Sequence, residues 1–388
     1  MRIAMVHSSF AIRGGAERYV RDLSAGLAAR GHDVRVFSRP SEHDDPGDQP
    51  VAQRLSDRVG GRSGPLRKVL NHLGDMADPT GLALADLEAF APDVVHVHNW
   101  QGLGIRPVRR LAAAYPTCHS VHDFAVADPG NALGNRGRAK ALDAMLAARS
   151  ALLVRELRGI TLLFPSERTR RTLLQHVPAA AGLPQRVVLL STPVPAERRA
   201  LPPGARDTFL YMGALSPHKG VGDLLDAWTT SDLRHRGTLL FGGDGPMRAE
   251  VEAAAAAHPS VHYLGYLDEA GKTDALRRAG WLLFPSRWPE TYGLVCAEAL
   301  IAGRPVLASR IAEPVMAAPG SCLLFDSPQD LRERLEQAAQ LPPAEYAGLT
   351  ASALADGARL DWDTHVEAIV ASYESVRADR RVPETGHR

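Results

Sequence analysis

Only three cysteines occur among 388 residues, Cys118, Cys296 and Cys322. An odd number at wide spacing, without close Cys/His pairs, excludes a disulfide framework and a structural zinc site and suits a reducing compartment. No uncharged apolar run approaches the roughly 18 to 20 residues that span a bilayer, and Met1 leads into a strand-like segment instead of a signal peptide. The expectation is a cytoplasmic chain. Lysine is almost missing: Lys68, Lys140, Lys219 and Lys272 are the only four. With abundant alanine, that is the usage of a GC-rich bacterial genome, and it makes each lysine informative. Aromatic residues do not interleave with the arginines as a stacking platform for nucleic acid requires, so no nucleic-acid partner is expected.

The length exceeds what one hydrophobic core usually organises, so two domains are expected. The formal net charge of +1 conceals an asymmetry: residues 1–190 carry 25 Lys/Arg against 18 Asp/Glu, and residues 191–388 carry 20 against 26. The halves therefore carry net charges of +7 and −6. A basic half can attract a phosphorylated or lipid-linked partner, or the anionic inner face of a membrane, although solvated arginines on helix faces account for the same charge. Arg54, Arg58, Arg62, Arg67 and Lys68 lie together in a Gly-rich stretch of that half.

Short Val/Ile/Leu runs alternate with helical patterns at 3–6, 34–37, 94–97, 160–164 and 187–190, and again at 209–212, 239–241, 261–264, 281–284, 306–308 and 323–325. Such runs suit buried parallel strands with right-handed crossovers, so each half reads as a doubly wound α/β sheet. Pro193, Pro195, Pro202, Pro203 and Gly204 interrupt the alternation. The expected organisation is a Rossmann-like domain at 1–190, a linker at 191–206, a second Rossmann-like domain at 207–360, and a final segment at 361–388 whose helix returns to the first domain. Leu-Leu-Phe-Pro-Ser occurs at 162–166 and again at 282–286, as equivalent strand ends in two similar domains would. Two such domains facing each other would place their ligand-binding strand ends around an interdomain cleft.

Four loops could carry chemistry. Gly14-Gly15 opens a helix after the first strand, where glycines allow close approach of an anion to helix-start amides; a tight turn without a ligand fits equally. Residues 213–220 place the rare Lys219 in a Gly-bounded loop, suited to a phosphate, with a surface turn carrying a solvated lysine as the alternative, and residues 242–246 read as turn architecture. In the fourth, Glu290-Thr291-Tyr292-Gly293-Leu294-Val295-Cys296-Ala297-Glu298, helix-start amides would hold a diphosphate and the two carboxylates would accept from vicinal hydroxyls. The bland alternative makes Glu290 a helix cap and Glu298 an exposed carboxylate. His96, His98, His119 and His122 cluster as core or strand-end histidines, with His122 the one expected to face the cleft; a metal site is the alternative, since imidazole is a common ligand.

With GGAER at 14–18, DVVHVHN at 93–99, VHDF at 121–124, FPSERTRRTL at 164–173, HKG at 218–220, GDGP at 243–246, ETYGLVCAE at 290–298 and AGRPVLAS at 302–309, the chain resembles the retaining GT-B glycosyltransferases of family GT4 along essentially its whole length. The resemblance implies a hexosyltransferase using a UDP- or GDP-sugar, with no cofactor and no essential divalent metal. It implies Gly15 beside the donor diphosphate, Lys219 neutralising it, Gly293, Leu294 and Val295 cradling it beside Tyr292, and Glu298 on the ribose. It further implies Tyr266 and Leu267 bordering the base, Glu290 on the transferred sugar, and His122 near that sugar's 6-position; Glu290, His122 and Lys219 form the catalytic set. The acceptor would belong to cell-envelope, polysaccharide or natural-product glycoside synthesis. Ala214 departs from the pattern, standing where the family commonly has arginine, and Arg304 or an arginine of the first half is the expected substitute. The loop after Ser309 is short and lacks the frequent Gly-Gly, with Glu313 matching the glutamate that often comes next. A glycoside hydrolase using Glu290 and Glu298, and a non-catalytic GT-B subunit that binds a sugar nucleotide or a partner, are the rival readings.

Overall fold

The computed structural model describes residues 1–8, 14–38, 48–50, 73–77, 85–130, 133, 140–193 and 204–381. The basic stretch from Arg54 to Lys68 lies outside them. The described residues form two compact units, the first from 1–190 with 363–381, the second from 191–362.

In the first unit, β1 (Arg2–Val6), β2 (Asp33–Ser38), β3 (Asp48–Pro50), β4 (Val94–Val97), β5 (Thr117–Ser120), β6 (Ile160–Phe164) and β7 (Gln185–Val187) form one sheet in the order β3-β2-β1-β4-β5-β6-β7. Every pairing is parallel. Helices α1 (Gly15–Ala28), α2 (Ala85–Phe90), α3 (Ile105–Ala114), α4 (Lys140–Glu156) and α5 (Glu167–His176) supply the crossovers. Strands β1, β4 and β6 are mostly apolar and buried nearly throughout because helices cover both faces of the sheet; in α1, Tyr19, Val20, Leu23 and Leu27 recur at helical spacing and are buried.

The second unit repeats this order one strand shorter, β10-β9-β8-β11-β12-β13, again all parallel. Its strands are β8 (Thr208–Met212), β9 (Thr238–Gly242), β10 (Val261–Tyr263), β11 (Trp281–Phe284), β12 (Val306–Ser309) and β13 (Cys322–Phe325). Between them run α6 (Val221–Thr230), α7 (Arg248–Ala257), α8 (Glu269–Arg278) and α9 (Leu294–Ile301), and after them α10 (Pro328–Gln340), α11 (Pro343–Ala358) and α12 (Trp362–Arg381). Each unit has its own apolar core. The order reverses beside β1 in one sheet and beside β8 in the other, and doubly wound sheets bind ligands at the carboxyl ends of the strands at that point.

Helix α12 belongs to the first unit from Asp363 onward. It is fixed there by Tyr373 on His96 (2.7 Å), His365 on Tyr19 (2.9 Å), Arg380 on the Ala112 carbonyl (2.9 Å) and Arg377 near Asp93 (3.7 Å). Its start carries Asp361-Trp362-Asp363, an Asp-x-Asp triplet whose Asp363 is engaged by Arg30 at 2.5 Å.

One expectation fails here. The two Leu-Leu-Phe-Pro-Ser copies are not equivalent strand ends: the first closes β6, sixth in its sheet order, and the second closes β11, fourth in its own. Both are interior parallel strands entered from a helix, which is reason enough for the same apolar run and the same proline-terminated exit. Among the described residues, no helix is long and apolar enough to cross a membrane.

Candidate functional site

In the second unit, β8 and β11 are parallel neighbours, so the loops leaving their carboxyl ends lie side by side. The first loop makes a single 3-10 turn, Pro217–Lys219, and ends at Gly220 with φ 75°. A Cβ at Gly220 would stand 1.9 Å from the Pro285 carbonyl oxygen, so only glycine lets the two loops touch. Arg287 donates its backbone amide to the His218 carbonyl across the same seam (2.8 Å). This seam brings Lys219 to Glu290, with Nζ donating to Oε1 at 2.6 Å. Ser286 donates to the same oxygen at 2.7 Å. The loop after β9 is tied to the loop after β8 through Gly213 to Gly242 (3.0 Å) and Leu215 to Asp244 (2.9 Å), which is the architectural role expected of residues 242–246.

Helix α9 begins where the Glu290 loop ends. Gly293 is its N-cap at φ 85° with no side-chain cap, and the first bond within the turn runs from Cys296 to the Gly293 carbonyl. The amides of Gly293, Leu294 and Val295 therefore precede the helix hydrogen-bond ladder, at the positive end of its dipole. Glu290 is not the cap of this helix. Glu298 is not an exposed helical carboxylate either: it is 3% exposed, and Lys272 of α8 donates to its Oε1 at 2.8 Å. Lys272 also lies 3.6 Å from Glu269. Sequence reasoning missed this partner, although the scarcity of lysine was a signal that could have found it. Tyr266 stands 66% exposed at the carboxyl edge after β10, Leu267 packs over Gly242, and Tyr292 is buried at 5%.

Arg304 does not replace the arginine missing at Ala214. It sits one residue before Pro305 and the start of β12, buried, with Nε donating to the Leu276 carbonyl at 2.9 Å. The αβ connection that carries it lies at the amino edge of a parallel sheet, the opposite edge from Lys219 and Glu290.

In the first unit, Gly15 is exposed and opens α1 behind the extended Gly14. The histidines gather at the carboxyl ends of β1, β4 and β5. His96 bonds Tyr373 Oη at 2.7 Å and Ser120 Oγ at 2.8 Å through its two ring nitrogens, and His98 Nδ1 lies 3.1 Å from His122 Nε2. His365 Nδ1 donates to the Leu189 carbonyl at 2.8 Å, which leaves the other nitrogen of the neutral ring to accept from the Tyr19 hydroxyl. Tyr19 packs edge-on against His98 and His122. A cavity of about 10 Å³, room for about one water, is bordered by Tyr19, Ser120, His122 and His365.

Loss of hydration holds these rings neutral. It pushes His119 and His365 down to about 4, and His7 likewise, with Arg21 adding to the effect. His122 falls to about 3, first from burial of the ring and then from His7 and His119, while His96 and His98 lie well below the usual range. Among the described residues, no three His, Cys, Asp or Glu side chains are arranged to hold a metal ion.

Residues 13–198 match the model of Glycosyltransferase Family 4, and residues 206–340 that of Glycosyl transferases group 1. A glycogen synthase of Mycobacterium tuberculosis is 28% identical over 99% of this chain and 97% of its own. A D-inositol 3-phosphate glycosyltransferase of Acidothermus cellulolyticus is also 28% identical, over 96% and 88%. Among solved structures, a sucrose-phosphate synthase from Thermosynechococcus elongatus superposes with a TM-score of 0.74 at 20% identity, covering 97% of this chain and 99% of that one. HepE of Anabaena, solved with UDP and glucose, gives 0.68 at 16%, covering 97% and 100%. The fold is that of these structures.

Proposed function

Because the chain belongs to the family 4 glycosyltransferases, with the GT-B fold, we propose that the second unit binds a UDP- or GDP-sugar and that the enzyme transfers its sugar with retention of anomeric configuration. The observation that carries this reading is the convergence of Lys219, Glu290 and the uncapped start of α9 at the point where the strand order reverses.

As the bond between sugar and β-phosphate breaks, positive charge grows on the ring and negative charge on the leaving diphosphate. The amides of Gly293, Leu294 and Val295 are fixed before the reaction begins, so they stabilise the leaving group without reorganisation, and the Lys219 ammonium joins them when the donor binds. Lys219 then exchanges Glu290 for the diphosphate, and Glu290 turns to hydroxyls of the transferred sugar. Glu298 takes the ribose, bordered by Lys272, with Tyr266 and Leu267 towards the base. Gly15 of the first unit is assigned to the diphosphate and the neutral His122 to the sugar's 6-position. The leaving phosphate itself accepts the acceptor proton on the same face, so no protein base and no divalent metal is required. The acceptor belongs to cell-envelope, polysaccharide or natural-product glycoside synthesis, and the basic first half suits one that is phosphorylated or lipid-linked, at the inner face of a membrane.

Ala214 supports a second reading, a sugar-nucleotide-binding subunit without catalysis, since the expected second cation is missing from its loop and Arg304 is engaged elsewhere. The hydrolase reading fares worse, because Glu290 and Glu298 are each engaged by a different lysine.

The test is incubation with a panel of nucleotide sugars in EDTA, monitoring release of nucleoside diphosphate and the anomer formed. Turnover of one donor is expected, with Glu298→Gln weakening its affinity about 10-fold through the lost charge-assisted bond to a ribose hydroxyl. Binding without turnover for every acceptor, and no hydrolysis by water, would favour the subunit reading. Unchanged affinity in Glu298→Gln would leave Glu298 only a partner of Lys272.

A further inference from the structure

The repeated pentapeptide ends in a serine with two different occupations. Ser166 accepts the Thr169 amide at 3.0 Å and caps α5, which starts one residue later. Ser286 has no helix to cap, because α9 starts only at Leu294. It is nonetheless 1% exposed, and its hydroxyl donates to Glu290 Oε1 at 2.7 Å, with the His218 carbonyl at 3.4 Å. The Ser286 carbonyl accepts from Ser309 of β12 at 2.5 Å. The serine is thus anchored by the strand beside it and aimed at a carboxylate.

Glu290 Oε1 has two donors, one charged and partly exposed, the other neutral and buried. A diphosphate competes for an ammonium far better than for a buried hydroxyl. When Lys219 leaves, a carboxylate without a second partner would lose its orientation. We propose that Ser286 is a positioning residue, holding Glu290 towards the transferred sugar after Lys219 has turned to the donor diphosphate. The hydroxyl pins one carboxylate oxygen and leaves the other to accept from the sugar. This inference rests on the donor-site reading above.

Ser286→Ala removes one oxygen and leaves the strand exit intact. It is expected to lower kcat about 10- to 100-fold, the size of a hydrogen bond to a charged group. Affinity for the free nucleoside diphosphate should stay within about twofold, since the groups that hold it are untouched. Affinity for the intact nucleotide sugar should fall towards that of the diphosphate. In a Glu290→Gln background the same serine substitution should change nucleotide-sugar affinity less than about twofold, because the residue it serves is already impaired. That cycle is read by calorimetry and needs no turnover. A Ser286→Ala enzyme with kcat within about twofold of wild type overturns the proposal, as do equal losses of sugar affinity in the two backgrounds. Wild type that binds none of the nucleotide sugars overturns the donor-site reading itself, and this proposal with it.

Discussion

Lys219→Ala is expected to lower kcat/KM for the donor by about 10²- to 10³-fold, the loss typical of removing one preorganised group from a developing negative charge. Two features make this the most sensitive position. The residue after Gly213 is Ala214, with no charge to share the task, and Arg304 lies buried at the other edge of the sheet. Lys219 also holds Glu290 in the resting protein, but Ser286 retains that carboxylate when the lysine is gone. The loss should therefore fall on the diphosphate and not on the fold. Steady-state kinetics at saturating acceptor, with melting temperature as control, separates the two. Lys219→Arg should recover part of the rate by restoring charge without the ammonium's geometry. If Lys219→Ala keeps wild-type kinetics, the lysine is a structural partner of Glu290 and the leaving group is stabilised elsewhere.

Acid should unfold the first unit well before carboxylates titrate. In the unfolded chain histidine binds protons near its ordinary value of about 6.5, whereas His7, His119 and His365 in the folded chain bind them only near 4. Between those values the unfolded state holds more protons, so stability falls as pH falls. Each ring costs up to about 1.4 kcal/mol per pH unit below 6.5, and His96, His98 and His122 act in the same direction. From about pH 7 to about pH 5 the sum reaches several kcal/mol, a large share of a domain's roughly 5–15 kcal/mol. The melting temperature is expected to drop by about 10 °C or more over that interval. Release of α12 should accompany it, since His365 and Tyr373 join that helix to Tyr19 and His96. A flat melting temperature over the same pH range would mean that the rings accept protons while folded.

Both sheets are legible in the sequence where strands are uniformly apolar, as in Ile3–Val6 or Trp281–Phe284. Strand β5 is not: Thr117, Cys118, His119 and Ser120 carry the polarity of a loop, yet all four are buried. The His119 ring and Ser120 find partners only in the folded sheet, on the Val97 carbonyl and on His96, while the Thr117 hydroxyl turns back to the nearby Tyr115 carbonyl. The residues of the donor loops are recognisable because glycine, lysine and glutamate are rare in apolar surroundings. Their partners are not. Lys272 reaches Glu298 across 26 positions, and the adjacency of β8 and β11 that joins Lys219 to Glu290 spans 71. Arg304 fails as the second cation because its charge is visible in the sequence while the sheet edge it occupies is not. The same limit applies to the repeated pentapeptide, whose two serines acquire different roles only from the segment after each strand.

A nucleotide-sugar site built from Lys219, Glu298 and the start of α9 should hold a nucleoside diphosphate even without its sugar. Thermal stabilisation by a panel of nucleoside diphosphates, with wild type, Lys219→Ala and Glu298→Gln side by side, tests it most directly. At about 100 times its dissociation constant, the cognate nucleotide should add about 2.7 kcal/mol of stability by linkage, a shift of several degrees. Such a shift is expected for one base with wild type, and a much smaller shift with either variant at the same concentration. No shift with any nucleoside diphosphate, or an equal shift in all three proteins, would contradict it.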